Sequence, residues 1–281
     1  EINRMSDTRR RYRDLLEGLY QGLNRAAFIH PDPVEFLHTY DDPRDREVVG
    51  LVASCLAYGR VAQIMKSVSG VLRAMGPHPA RFLMDTDRDE LIATFSGFRH
   101  RFTTGRELAL TLVGVRGMIG RYGSLEGAFL AGMGDGDRTV IPSLCRFSAG
   151  LNLPFLGEQN SLVPCPEKGS ARKRLNLFLR WMVRKDEVDP GGWDGVSPAM
   201  LVVPLDTHLF RIAGVLGFTK RRSADLTAAL EITAGFSEIE PDDPVKYDFC
   251  LTRLGIRPDL SIERLSSYGA STGGEEESPL C

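Results

Sequence analysis

Residues 169–184, GSARKRLNLFLRWMVR, and residues 202–212, VVPLDTHLFRI, decide how this chain is read. In the first stretch Arg172, Asn176, Arg180 and Arg184 recur at four-residue spacing, which on an α-helix aligns them as one polar ridge about 20 Å long. Leu175, Leu177, Phe178, Leu179, Trp181, Met182 and Val183 fill the other faces. The helix is therefore predicted to be buried on most sides and to present its ridge to solvent or to a phosphate backbone. Ser170 is the predicted N-cap, which places Lys173 in the first turn, where unpaired amides carry partial positive charge. That field disfavours the ammonium and favours a nucleophilic free amine, and the same turn, with Gly169 and Ser170, can offer amides to a phosphate. In the second stretch Asp206 is the predicted N-cap of a helix ending at Gly217. Held by those amides, its carboxylate can stabilise a developing cation. An amine and an ionised acid are the two groups needed to attack a sugar C1′ and to stabilise its positive charge.

Outward from these stretches the periodicity stays helical. Helices are predicted at 8–22, 31–38, 46–58 and 61–75, then at 105–121, 124–132 and 139–149. The run VVGLVASCLA is apolar on every side and is predicted to be buried, with Gly59 and Arg60 forming the corner after it. Later, Ser223 is predicted to cap one helix, and Asp243 with Pro244 to open another that ends at Leu254. The best strand signal, Leu201 to Val203, is too short to found a sheet, so the fold class is predicted to be all-α. The tail, residues 266–281, is polar and glycine-rich and is predicted to be disordered.

With 281 residues, 42% hydrophobic and 26% charged, the chain can bury a sizeable core without cofactor or disulfide. No apolar run approaches the length of a membrane span, and the charged N-terminus EINRMSDTRRRYRD has no apolar stretch after it, so a cytoplasmic protein is expected. The five cysteines are scattered, which predicts neither a metal nor a disulfide framework, and Cys55 and Cys250 are predicted to be buried thiols. The net charge of −2 does not mark a nucleic-acid binder. Residues 160–222, however, hold 11 Lys and Arg against 6 Asp and Glu, and a basic face there is predicted to neutralise phosphates. Within that window KDEVDPGGWDGVSPAM forms a turn-rich loop in which Trp193, beside Asp189, is a candidate for stacking on an extruded base. Phe98, Arg99, His100, Arg101 and Phe102 interleave aromatic and basic side chains in a second segment able to touch DNA.

PLDTHLFRI resembles the V-D-T-H-V-x-R segment of the helix-hairpin-helix DNA glycosylases, the superfamily that includes endonuclease III, and GSARK is similar to the end of their G-x-G-x-K hairpin. The resemblance implies Lys173 as the Schiff-base lysine and Asp206 as the catalytic aspartate, with Lys168 and Arg172 as competing positions for the cation. LAYGRVAQI, residues 56–64, is similar to the segment that fills the gap left by a flipped base, with Arg60 and Gln63 as candidates. Gly169, Ser170, Arg172, Arg174, Arg180, Arg184 and His208 are DNA-binding candidates. The chain also resembles, from about residue 10 to 258, a bacterial family known as domain of unknown function 2400, most specifically in GSARKRLNLFLRWMVRKDEVDPGGW and PDDPVKYDFCLTRLG. The hairpin PCPEKGSARK has one glycine instead of two, and the four-cysteine motif of endonuclease III is absent. Lys173 and Asp206 stand 33 residues apart, a spacing similar to that of the archaeal 8-oxoguanine glycosylases.

What these resemblances imply is a fold of two helical domains with DNA in the cleft between them, one from residues 45–185 and the other from 8–44 with 186–265. The implied activity is a monomeric DNA glycosylase and AP lyase of the bacterial nucleoid, needing no cofactor. It would excise a damaged base, such as 8-oxoguanine, from double-stranded DNA. The alternatives are a non-catalytic protein that binds damaged or distorted duplex and a helical scaffold that binds protein.

Overall fold

The apolar run VVGLVASC lies in α2 (Pro43–Cys55), a helix packed against residues 33–39, 61–75, 79–85, 125–130 and 173–183 in a computed structural model that describes residues 7–164 and 170–256. Asp42 caps α2 and Pro43 supplies the fixed first turn, as the cap chemistry of such a start requires. From Val48 to Cys55 the helix is buried on every face. A Cβ at Gly50 would lie 3.1 Å from Leu37 and 3.3 Å from Met182, so glycine there lets α9 (Lys173–Val183) come close to α2. Two acids of α2 point into the protein and cap other helices. Asp45 accepts from the Ala80 amide at the start of α4 (Pro79–Asp85). Glu47 accepts from the Leu125 and Glu126 amides at the start of α7 (Leu125–Leu130), at 2.9 and 3.1 Å.

The remaining helices are α1 (Asp7–Leu23), α3 (Val61–Met75), α5 (Arg88–Thr94), α6 (Gly105–Tyr122), α8 (Ile141–Asn152), α10 (Thr207–Val215), α11 (Leu226–Ser237) and α12 (Asp248–Ile256). The chain is all-α, as predicted. The one sheet among the described residues pairs Arg99–His100 with Thr103–Thr104 as a two-residue antiparallel ladder, leading into the Thr104–Glu107 capping box of α6. Leu201 to Val203 is buried but forms no strand. Its function is to carry the buried chain up to α10, with the Val203 amide donating to the Thr233 hydroxyl at 3.1 Å. No helix among the described residues is long and apolar enough to cross a membrane.

Several predicted boundaries move by a few residues, each for a local reason. Residues 33–39 wind as a 3-10 turn capped by Asp32, in place of the α-helix expected at 31–38. Asp225, not Ser223, caps α11, because it is the Asp225 carboxylate that reaches the Ala228 amide at 2.9 Å. Asp243 does not open the last helix; its carboxylate is taken by Arg184, and α12 starts five residues later. Helices α4 and α5, in a region with no sequence expectation, follow Pro79 at a first turn and the Asp87–Glu90 capping box. The tail 266–281, where disorder is predicted, and residues 257–265 of the expected second domain lie outside the described residues.

Candidate functional site

Helix α9 begins at Lys173, and its N-cap is Arg172 in the left-handed conformation, φ 50°. Ser170, the expected cap, serves the turn before it: its hydroxyl accepts from the Arg172 amide at 3.2 Å. Lys173 thus occupies the first helical position and projects beside the start of α10. There Asp206 uses one oxygen, Oδ1, to accept from the Leu209 amide at 2.8 Å. Its other oxygen, Oδ2, accepts from Lys173 Nζ at 3.2 Å. The cap fixes the carboxylate and leaves half of it for the lysine. The lysine side chain is 40% exposed and the aspartate 15%, so the pair opens to solvent from the lysine side.

Around this pair the other predicted residues separate into three groups. Near it, Arg172 donates to the Cys145 thiol at 2.8 Å. Arg174 donates to the Cys55 and Ser161 carbonyls at 3.0 and 2.8 Å, which ties the start of α9 to the end of α2. His208 is half-buried in the first turn of α10, and Ser170 is exposed, in a bridge with Asp225. On a neighbouring corner, Arg60 stands at the N-cap position of α3 with no side-chain bond to its amides, and Gln63 donates to the Ser67 hydroxyl at 3.1 Å, both exposed. Gly169 and Lys168 lie outside the described residues.

The third group corrects the sequence reading. Arg180 and Arg184 do not face solvent: their side chains are each 4% exposed and held by acids. Arg180 donates to Asp189 at 3.1 and 3.0 Å and to Asp248. Arg184 donates to Asp243 at 2.8 and 3.1 Å, pairs with Asp186 at 2.8 Å, and donates to Asp189. Burial opposes the charge on Arg180, but the Asp189 and Asp248 carboxylates overcome it and hold the pKa above the ordinary guanidinium value. Asp189 is fully buried between the two arginines and cannot line a base pocket. Trp193 is 2% exposed, with its ring centroid 5.1 Å from Phe178 and 5.6 Å from Phe129 and its indole N–H donating to Glu47 at 3.1 Å. It is a core aromatic with a satisfied polar edge. Asn176, the fourth member of the predicted ridge, is buried too.

Two features were not assigned from sequence. One is Asp248, at the start of α12, whose carboxyl is pushed up to about 6 by burial. The Asp206 charge pushes it the same way, against the pull of Arg180 and Lys173. The other is an aromatic column. The Arg174 guanidinium lies 5.1 Å over the Tyr58 ring, and Tyr58 stacks on Phe102 at 5.1 Å with 25° between the planes. Phe102 is 60% exposed at the hairpin tip, flanked by the exposed Arg99 and Arg101. The alternation in FRHRF held the signal for Phe102, but His100 in its middle is fully buried, bound to Ser67 and the Tyr58 carbonyl. Burial lowers the pKa of that imidazole.

The free thiols Cys55 and Cys250 are buried, as predicted, and burial pushes them up to about 11 and about 12. Among the described residues no group of three or more His, Cys, Asp or Glu side chains is placed to hold a metal ion. The model of one protein family spans residues 32–257, most of the chain. The protein belongs to the DUF2400 family, described as a protein of unknown function. No curated protein and no solved structure matches the chain.

Proposed function

We propose that this protein is a DNA repair glycosylase with AP lyase activity, in which Lys173 is the nucleophile and Asp206 its partner acid. The observation that carries the reading is the 3.2 Å contact between Lys173 Nζ and an aspartate oxygen fixed by a helix cap. An ammonium cannot attack, so its proton must first leave, and the free Asp206 oxygen is within reach to take it. The amine then bonds to C1′ as the bond from C1′ to the base breaks, its electrons leaving with the base. The departing base takes that proton from Asp206, and the regenerated, rigidly held carboxylate offsets the positive charge on the sugar. Opening the sugar ring leaves a protonated Schiff base on Lys173, which acidifies the C2′ proton and permits β-elimination of the 3′ phosphate. No step requires a cofactor.

Reaching C1′ requires a flipped nucleotide, at a cost of a few kcal/mol that is smaller for a damaged pair. In this reading the residue that supports the emptied stack is Phe102 on Tyr58, an exposed ring backed by Arg174, rather than Arg60 or Gln63. Stacking a base on such a ring contributes about 1–3 kcal/mol. DNA would lie between the two expected helical bodies, 45–185 and 8–44 with 186–265, and oxidised purines such as 8-oxoguanine are the substrate class that the spacing of Lys173 and Asp206 favours.

The test is a panel of duplexes carrying 8-oxoguanine, uracil, thymine glycol or an abasic site, incubated with borohydride. The wild-type protein is expected to form a covalent complex with at least one of them, and Lys173→Gln to lose it by about 100-fold or more. Equal trapping by both proteins would remove Lys173 from the mechanism. Tight, lesion-selective binding with no trapping would instead identify a non-catalytic reader of damaged duplex.

A further inference from the structure

The hairpin at residues 99–104 displays charge that the chemistry above does not use. Tyr58 donates its hydroxyl to the His100 carbonyl at 3.0 Å and bonds Thr103 Oγ1 at 2.6 Å, and Thr103 Oγ1 is in turn bonded to Ser161 Oγ at 2.6 Å. His100 and Thr103 are fully buried, and between them Arg101 and Phe102 stand exposed at the tip. Phe102 therefore shows its ring from a bonded support, stacked on Tyr58, whose own ring is met by the Arg174 guanidinium. Arg101 takes the left-handed backbone, φ 53°, and its side chain lies against Gly59, where a Cβ would stand 2.9 Å from Arg101 Cδ and 3.2 Å from Nη1. That approach joins the Gly59–Arg60 corner to the hairpin tip. Arg60, Arg99 and Arg101 are all exposed, and Arg99 donates to the Arg101 carbonyl at 3.3 Å. Among the described residues none of the three is ion-paired with an acid. Glu107, the first acid after the hairpin, has its oxygens taken by the Thr104 and Ser161 amides.

We propose that this face binds single-stranded nucleic acid: the open side of the Phe102 ring stacks on an unpaired base, and Arg60, Arg99 and Arg101 meet the phosphates beside it. An aromatic ring gains from any base, since every base has a π-face. Guanidinium groups without acid partners attract a polyanion that the chain as a whole, at net charge −2, repels. A base inside an intact duplex is covered on both sides by its neighbours, so the ring reaches one only where the stack is broken. An acidic peptide matches the arginines alone; a nucleotide strand matches the ring as well. The proposal shares Phe102 with the glycosylase reading and goes beyond it, because neither a lesion nor Lys173 takes part.

The full chain is titrated into fluorescein-labelled oligothymidylate, oligouridylate of the same length and an intact duplex of that length, and anisotropy is read over a salt series. Wild type is expected to bind the single strands about 10-fold more tightly than the duplex. The tighter of the two strands tells whether DNA or RNA is the source. Phe102→Leu, a change at an exposed position that keeps an apolar side chain, is expected to weaken strand binding by about 10-fold, and Phe102→Trp to preserve it. Arg60→Gln and Arg101→Gln are each expected to make log affinity against log salt less steep by about 0.7, the share of one phosphate contact on a single strand. Equal affinity for strand and duplex, Phe102→Leu binding like wild type, or slopes unchanged in both arginine variants would overturn the proposal, and so would competition by polyglutamate as strong as by the strand. A protein that binds in this way yet forms no borohydride-trapped complex refutes the enzymatic reading and leaves this one standing; trapping without preference for single strands does the reverse.

Discussion

The two ends of α9 carry the same kind of side chain and put it to opposite use. At the N-terminal end Lys173 meets one carboxylate at the surface, and 40% of its side chain stays in contact with water. At the C-terminal end Arg180 and Arg184 are sealed against four acids. An exposed pair contributes about 0–1 kcal/mol, since water already stabilises both charges. A buried pair has lost that water, so removing one partner strands the other at a cost of about 3–5 kcal/mol. The difference teaches that the cationic ridge is two devices in series. The sealed end clamps the helix to the 186–189 turn, Asp243 and α12, and the open end holds an amine that can be reached.

The largest expected effect tests the sealed end. Arg180→Ala strands Asp248 and leaves Asp189 with Arg184 alone, and is expected to lower stability by about 3–5 kcal/mol in urea unfolding. A loss below about 1 kcal/mol would mean that this end behaves like a surface pair. Next is Trp193→Phe, which keeps a ring in the Phe129–Phe178 cluster but leaves the buried Glu47 one donor short; a loss of about 1–3 kcal/mol is expected, with DNA affinity unchanged. Affinity falling while stability holds would return Trp193 to the DNA.

A pH series sharpens the comparison where the two ends meet. The folded Asp248 carboxyl, at about 6, lies above the ordinary value of 3.8, so the native state binds that proton more tightly than the unfolded chain. Ionising it costs stability as pH rises through about 6 and the cost vanishes as pH falls towards the ordinary carboxyl range. Wild type is therefore expected to gain on Asp248→Asn, by an amount on the order of 1 kcal/mol, when unfolding is measured at pH 5 instead of pH 7.5. The smallest effect belongs to the open end: Lys173→Gln is expected to change stability by less than about 1 kcal/mol, however large its effect on trapping.

Much of this was legible along the chain because it is local chemistry. Asp206 as a cap, Lys173 in the first turn, the buried α2 and the all-α class each follow from residues within a few positions of one another. The fate of the ridge was not, because four-residue spacing says which side chains share a face and nothing of what covers it. The acids that cover Arg180 and Arg184 include Asp248, 68 residues from Arg180, and Asp243, 59 residues from Arg184. The same limit applies to charge counting. The basic excess in residues 160–222 includes two arginines neutralised in the interior and a third, Arg174, spent on backbone carbonyls. Trp193 follows two glycines in a turn-forming run, which signals a loop, yet Gly191 and Gly192, at φ 69° and 138°, turn the chain back along α9 and drive the ring inward.

Glu47 has a consequence for how the molecule comes apart. One buried carboxylate receives the first amides of α7, whose Leu125 lies 78 residues away, and the indole of Trp193, 146 residues away. First-turn amides normally trade their hydrogens with water long before a protein unfolds. Here the Leu125 and Glu126 hydrogens can leave only when three distant stretches of chain let go of the same oxygen atoms, so the entrance of a six-residue helix becomes a gauge of the whole molecule's cohesion.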